Sequence, residues 1–141
     1  MATGGEDSPS ESRIDFRRID YFERVLSLLC DAGAELPPPD LLRAVANTMR
    51  SRGFRPLQAQ ALRALGLAAG DAPALGDALG IFEEMAAAPY AARTRAELAI
   101  LTDDRALLSS ALQELAGFGD VQQQERYLAS SGDGVTSRAP A

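Results

Sequence analysis

The composition of this 141-residue chain excludes several kinds of chemistry. All 14 basic residues are Arg and no His is present, so the chain offers no imidazole base, no Schiff-base lysine and no phosphate-binding loop that ends in Gly-Lys. With a single Cys and no His it also offers no zinc site, and we expect no metal, no cofactor and no enzyme activity. The net charge of −6 makes nucleic acid an unfavourable partner.

The hydrophobic content predicts a folded protein that does not enter the membrane. Hydrophobic residues make up 46% of the chain but aromatic residues only 6%, so the core must be built from Leu, Ala, Val and Ile. The first residues contain no apolar signal-peptide core, and no run approaches the roughly 18 apolar residues of a membrane span. We therefore expect a soluble, cytoplasmic protein, and the absence of Lys suggests a GC-rich bacterial genome.

Both ends of the chain differ in composition from the middle. Residues 1–12 and residues 131–141 combine Gly, Ser, Pro and acidic residues, which predicts disordered tails. Residues 13–130 show helical periodicity and contain no β-branched alternation long enough for a strand. The sequence therefore predicts one all-α domain between two tails.

The first two predicted helices are separated by a run of prolines. Over residues 15–32 the apolar positions follow steps of three and four, at Phe16, Ile19, Phe22, Val25, Leu26 and Leu29. The prolines at 37–39 prevent continuation of this helix. A second helix starts beside Pro39 and ends at Gly53, because glycine favours the left-handed conformation that closes a helix.

Five further helices follow, and proline, glycine or aspartate marks most of their ends. The third begins at Pro56 and ends at Gly70, and Asp103 and Asp104 supply caps for the sixth. The fourth to seventh helices are predicted over residues 73–87, 89–101, 105–116 and 121–129.

These helices repeat with a period of 33 residues, which is typical of helical-hairpin arrays. In the second helix of each pair, residues of the same kind align in columns: Leu42, Leu75 and Leu108; then Met49, Phe82 and Leu115. Pro56 and Pro89 match as helix starters. Gly66 aligns with other small residues, and a small residue there lets the paired helices approach closely.

The pattern resembles the tetratricopeptide repeat, which has a Leu-Gly pair in its first helix, a small residue and an aromatic in its second, and a closing proline. The structural repeat positions that match are Leu65, Gly66, Ala78, Phe82 and Pro89. The resemblance implies an α-solenoid of about three helical hairpins plus a short C-terminal helix, with Phe82 in its core. The alternative is a generic bundle of helical hairpins.

A second resemblance concerns function. The stretch from residue 78 to residue 99 is similar to C-terminal repeat regions of bacterial cyclase/ATPase proteins and LuxR-type signalling regulators; the positions that carry it are Phe82, Glu83, Pro89, Tyr90, Ala92, Arg93, Arg95, Glu97 and Leu98. It implies a non-catalytic protein–protein interaction or scaffold module in bacterial signalling. The alternative is a regulatory fragment of a larger nucleotidyl cyclase or ATPase-type transcriptional activator.

Three residues are candidates for partner binding. In a solenoid of this kind the first helices of successive repeats line a concave groove, and Gln60, Arg63 and Arg93 are predicted to face it. An arginine pair there would bind a carboxylate or an acidic peptide of another protein. The alternative is that both arginines are solvated surface residues, and on either interpretation their replacement is expected to leave stability unchanged.

Two further features have a structural and a functional interpretation. Cys30 follows an apolar helical stretch and has no adjacent cation, which predicts a buried, unreactive thiol. The apolar face of the first helix, from Phe16 to Phe22, either packs on the first repeat or supports self-association.

Overall fold

The computed structural model of the protein describes residues 2–131, with side chains from Arg17 onward. This part of the chain contains no strand, which confirms the predicted all-α class. Its seven helices are α1 Ala2–Ala32, α2 Pro39–Arg52, α3 Arg55–Ala69, α4 Ala72–Glu84, α5 Ala88–Thr102, α6 Arg105–Gly117 and α7 Val121–Ser130. None of these helices is both long and apolar enough to cross a membrane.

The two predicted tails lie at the margins of the described chain. Helix α1 begins at Ala2, earlier than the predicted start near residue 15, and the side chains of residues 1–16 lie outside the described set. The C-terminal tail predicted over residues 131–141 is described only at Ser131.

Glycine and aspartate fix the helix ends, largely as predicted. Gly53 and Gly70 adopt the left-handed conformation after α2 and α3, with φ of 78° and 63°. The side chain of Asp71 accepts a hydrogen bond from the Ala74 amide at 3.2 Å, which caps the amino end of α4. Asp104 caps α6 in the same way, and Asp103 takes the left-handed position that closes α5.

The 33-residue period also appears in the helix boundaries. Helices α2, α4 and α6 begin at residues 39, 72 and 105, and helices α3, α5 and α7 begin at residues 55, 88 and 121, so both series advance by 33. The turns that precede the second series each contain a residue with positive φ, at Gly53, Ala86 and Gly119. The helix starts and the positive-φ turns therefore share the 33-residue spacing.

Each helix from α2 to α6 packs on the helix that follows it, while α1 packs on α3 and α5 packs on α7. Leu26, Leu42 and Leu65 belong to the buried core that joins α1, α2 and α3. A second cluster joins α5, α6 and α7 around Leu115 and Tyr127.

Gly66 and Phe82 hold the middle of the fold together. A Cβ added to Gly66 would overlap the Leu75 side chain, so only glycine lets α3 and α4 approach this closely. Phe82 is 1% exposed, as predicted, and its ring stacks on Tyr90 at a centroid separation of 5.3 Å. Leu65 and Ala78 are buried beside them, and Pro89 lies in the first turn of α5.

Candidate functional site

Arg63 lies in the middle of α3 and is fully buried. Its guanidinium donates two hydrogen bonds to Glu97 of α5, from Nε to Oε1 at 2.7 Å and from Nη2 to Oε2 at 2.5 Å. The same Nη2 donates to Asp31 Oδ1 of α1 at 2.9 Å. One arginine therefore connects three helices through planar, charge-assisted hydrogen bonds.

Asp31 joins this arginine to a second one. Its other oxygen, Oδ2, accepts from Arg93 Nη1 at 2.9 Å. Arg93 Nε in turn donates to Asp120 Oδ2 at 2.8 Å, immediately before α7. The two arginines of the predicted groove therefore share one carboxylate.

Helix α7 completes the cluster from the carboxyl end of the fold. The Tyr127 hydroxyl donates to Glu97 Oε2 at 2.6 Å. Gln123 Nε2 donates to the Asp31 carbonyl at 2.8 Å, and Arg126 Nη2 donates to the Cys30 carbonyl at 3.1 Å. We use the name Arg63 network for the six residues that are joined by ion pairs or by hydrogen bonds between ionisable side chains: Asp31, Arg63, Arg93, Glu97, Asp120 and Tyr127.

Burial and charge shift the pKa values of the groups in and beside the network. Burial by itself would lower the pKa of Arg63, but the ion pair with Glu97 outweighs it, and the pKa is raised well above its usual value. Burial and the Glu97 charge both raise the pKa of Tyr127. Burial raises the pKa of the Cys30 thiol to about 12, which fits the predicted unreactive cysteine.

The three predicted site residues differ in exposure from the expectation. Gln60 and Arg63 are fully buried rather than open to solvent, and Arg93 is partly buried. The arginine pair does bind a carboxylate, but that carboxylate is Asp31 of the same chain. Partner binding by Gln60, Arg63 and Arg93 stays a prediction. The solvent exposure on which the expected tolerance of substitution at Arg63 depended is wrong, because Arg63 is fully buried.

An apolar groove of about 510 Å³ lies at the amino end of the fold. It is lined by side chains of α1, α2 and α3, among them Ile19, Phe22, Val45, Met49 and Leu57. Tyr21 stands at its edge with 71% of its surface exposed. Because α1 and α2 both pack on α3, α3 supplies the floor of the apolar groove and the other two helices its walls.

A polar groove of about 470 Å³ lies between α2 and α4. Arg55, Gln58 and Leu62 of α3 line its floor, and α2 contributes Asn47 and Arg50 to one wall. The opposite wall is α4, where Gly76 and Gly80 face the groove beside Asp77 and Glu84.

Sequence analysis missed the polar groove, although the sequence carries a signal for it. Gly76 and Gly80 are one turn apart in a helix, where each glycine costs about 1 kcal/mol relative to alanine. A Cβ added at either position would meet no atom within 4 Å, so neither is needed for packing, in contrast to Gly66. These two glycines leave the wall of the polar groove formed by α4 without side chains at positions 76 and 80.

The contacts define an all-α protein, over the residues described, with a buried ion-pair network and two open grooves. Comparison with protein-family models, with curated proteins and with solved structures finds no match to this chain.

Proposed function

We propose that this chain is a non-catalytic protein-interaction module, an α-solenoid of tetratricopeptide-like hairpins that works in bacterial cytoplasmic signalling. The 33-residue spacing of the helix starts supports the solenoid. So do the left-handed turns at Gly53, Ala86 and Gly119, because equivalent turns place successive hairpins in equivalent orientations. The signalling context rests on the resemblance carried by residues 78–99.

The apolar groove is the observation that carries the interaction function. Tyr21 is exposed, and Ile19, Phe22 and Val45 are only partly buried, although all four line one concavity. Contiguous apolar surface that is left open to water is typical of interaction sites. A partner that fills the groove would bury side chains that this chain leaves uncovered.

Charge at the edge of the apolar groove indicates the kind of partner. Arg18 and Arg52 line it, and no acidic residue does so in the described part of the chain. An apolar segment flanked by acidic residues would match both features, because opposite charge at a rim favours association and selects against other partners. The proposed partner is therefore another protein with an acidic, amphipathic segment.

Affinity capture from lysate of the producing cell tests this function. Tyr21→Glu places a charge in the apolar groove without disturbing the core, and Leu28→Glu is the matched control. Both residues lie on α1 and are similarly exposed, at 71% and 68%, but Leu28 does not line the groove. We expect wild type and Leu28→Glu to retain the same partner and Tyr21→Glu to lose it.

Self-association through α1 would give a different pattern in the same set of proteins. Sedimentation of wild type would then show a dimer that Leu28→Glu or Tyr21→Glu dissociates, and the partner would be a second copy of the chain. Capture that is unchanged by Tyr21→Glu would contradict binding at the apolar groove.

The absence of catalysis has its own test. Calorimetric titration with ATP and magnesium is expected to give no heat of binding, because the chain has neither Lys nor His to hold or activate a phosphate. Binding with micromolar affinity, or turnover of ATP, would instead support the regulatory-fragment alternative.

A further inference from the structure

We infer that the apolar groove binds a small anionic amphiphile, a long-chain carboxylate of the fatty-acid class, and that this ligand displaces the partner protein. The displacement rests on the proposed interaction function, whereas binding of the ligand can be measured without any partner. Three observations carry the inference: an opening between two helices, a lining that reaches the hydrophobic core, and a rim that has arginines but, among the described residues, no carboxylate.

The opening lies between α1 and α2. Residues 33–38 connect these two helices and include two prolines, whereas only two or three residues separate each later pair of consecutive helices. Helix α1 packs on α3 rather than on α2, and the apolar groove is the space that this arrangement leaves between α1 and α2. Its volume of about 510 Å³ is typical of a site for a small molecule.

The apolar groove reaches the hydrophobic core of the amino end. Leu57 and Met49 line it, although only 2% and 7% of their surfaces are exposed, and both belong to the core shared by α1, α2 and α3. An alkyl chain in the groove therefore exchanges water for contact with core side chains. Each methylene that it buries raises the affinity about fourfold.

The lining residues of α2 form a row that suits a linear ligand. Ala44, Thr48 and Arg52 are spaced four residues apart, and Val45 and Met49 lie beside them on the same side of the helix. The row extends for about 12 Å, because each helical residue advances by about 1.5 Å. A linear molecule along this row has its apolar part against Val45 and Met49 and one end beside Arg52.

The rim of the apolar groove is cationic. Arg18 and Arg52 are exposed and line it, and no described residue forms an ion pair with either guanidinium. The planar fork of an arginine matches a carboxylate. Asp20 and Glu23 line a separate, smaller cavity, and Asp20 pairs with Arg24. An apolar interior with this rim selects an anionic amphiphile over a cationic one.

The same two features of the groove define the partner of the proposed function. An acidic amphipathic segment and a long-chain carboxylate would both cover the apolar lining, and both would place negative charge beside the arginines. The two cannot occupy one groove together. The concentration of the small ligand therefore determines how much of the protein is free to bind its partner.

NMR titration of the full-length chain with ¹³C-labelled methyl groups tests the binding. The probes are decanoate, the shorter hexanoate, and decyltrimethylammonium, a cation with an alkyl chain of similar length to decanoate, all below the concentrations at which they aggregate. We expect decanoate to shift the methyl signals of Ile19, Val45 and Leu57. The signals of Leu28, an exposed residue of α1 outside the groove, should not move. Hexanoate and the cation should each bind at least about tenfold more weakly.

Charge reversal at the rim separates recognition of the head group from damage to the fold. Arg52→Glu should weaken binding of decanoate at least about fivefold and strengthen binding of decyltrimethylammonium, whereas simple damage to the groove would weaken both. Arg50→Glu is the matched control, because Arg50 is an exposed residue of α2 that does not line the apolar groove. It should leave both affinities within about twofold.

A second pair of variants fills the apolar groove. Ala44 is exposed and lines the groove, so Ala44→Trp should abolish binding of decanoate. Ala116→Trp, at an exposed alanine of α6 outside the groove, should bind decanoate as wild type does. Circular dichroism of both variants confirms that the helices are retained.

Affinity capture in the presence of each probe tests the displacement. Saturating decanoate should release the partner that wild type retains, and hexanoate at the same concentration should not. Retention of the partner in saturating decanoate would overturn the displacement.

Three results would overturn the binding itself: no methyl shift in the groove with decanoate, equal binding of decanoate and decyltrimethylammonium, or equal effects of Arg52→Glu and Arg50→Glu. Shifts that appear only where decanoate aggregates would show adsorption to the aggregates and would overturn it as well. The proposed interaction function is decided separately, by whether Tyr21→Glu loses the partner in a lysate that receives no amphiphile.

Discussion

At the scale of single residues, Arg63 is held by carboxylates of two other helices in a site without solvent. A buried cation in this position stabilises the fold only while its partners are present, because each partner would otherwise be an uncompensated charge in a medium of low dielectric constant. Asp31 has the same dependence on Arg63 and Arg93. Removal of one member of the Arg63 network therefore leaves the charge of another member uncompensated.

Removal of Arg63 is expected to be severe. Arg63→Met keeps most of the side-chain volume but leaves Glu97 without its cation, so urea unfolding should show a loss of about 3–5 kcal/mol. Arg63→Met combined with Glu97→Met should recover part of this loss. Arg43→Met removes an exposed pair with Asp40 and should change stability by no more than about 0.5 kcal/mol. Equal stability of Arg63→Met and wild type would contradict the network as described.

Alkaline pH should destabilise the fold. The pKa values of Cys30 and Tyr127 are raised in the folded chain, so the unfolded chain releases these protons at lower pH. Their contribution is fully present below the ordinary thiol pKa of about 8.5, and it is lost progressively as pH rises toward about 12. The loss of stability is measured by comparing the urea concentration at half unfolding at about pH 7.5 with that at about pH 10.5.

Cys30→Ala and Tyr127→Phe provide the comparison, since each removes one titrating group. Each variant should lose less stability between the two pH values than wild type does, whatever its stability at neutral pH. A wild-type midpoint that is the same at both pH values would show that neither group titrates with unfolding.

At the scale of helices, local chemistry determines where each element ends. The sequence predicted the boundaries of α2, α3 and α6 to within one or two residues, because Pro39, Gly53, Gly70 and Asp104 act on the backbone next to them. It predicted the burial of Phe82 through the 33-residue period. The helix ends depend on residues next to them in sequence, and the burial of Phe82 follows from a regular spacing, so both can be predicted from a single sequence.

The burial of Arg63 depends on residues that are remote in sequence. Glu97 is 34 residues away from Arg63, and the contact between Gln123 and Asp31 spans 92 residues. No local pattern indicates that α7 returns to the end of α1. From sequence alone, an arginine on a helix with apolar neighbours is therefore expected to face solvent. Only the tertiary structure shows that Arg63 is buried.

The positive φ of Ala86 can be tested by substitution with glycine. Its φ of 58° is a left-handed conformation that costs an L-residue about 1 kcal/mol, and the equivalent turns have glycine at positions 53 and 119. Ala86→Gly should therefore raise the free energy of unfolding by about 0.5–1 kcal/mol. Ala44→Gly, inside α2, should lower it by about the same amount. A destabilised Ala86→Gly would contradict the turn geometry.

At the scale of the whole molecule, the Arg63 network joins the first helix to the last. Asp31 contacts α3 and α5 through its carboxylate and α7 through its carbonyl, so the helices that would line a concave groove are held against one another. The apolar and polar grooves lie open on other faces of the described residues. Partner binding is therefore proposed for an open groove and not for the interior.

Hydrogen exchange at the Arg63 Nε–H measures directly whether this arginine is enclosed by its own chain. The signal is assigned by its loss in Arg63→Met, and the exposed Arg43 provides the reference. We expect the Arg63 Nε–H to exchange at least about a hundredfold more slowly than that of Arg43, because exchange requires the network to open. Equal exchange rates for the two arginines would show that Arg63 faces solvent and would contradict its burial in the Arg63 network.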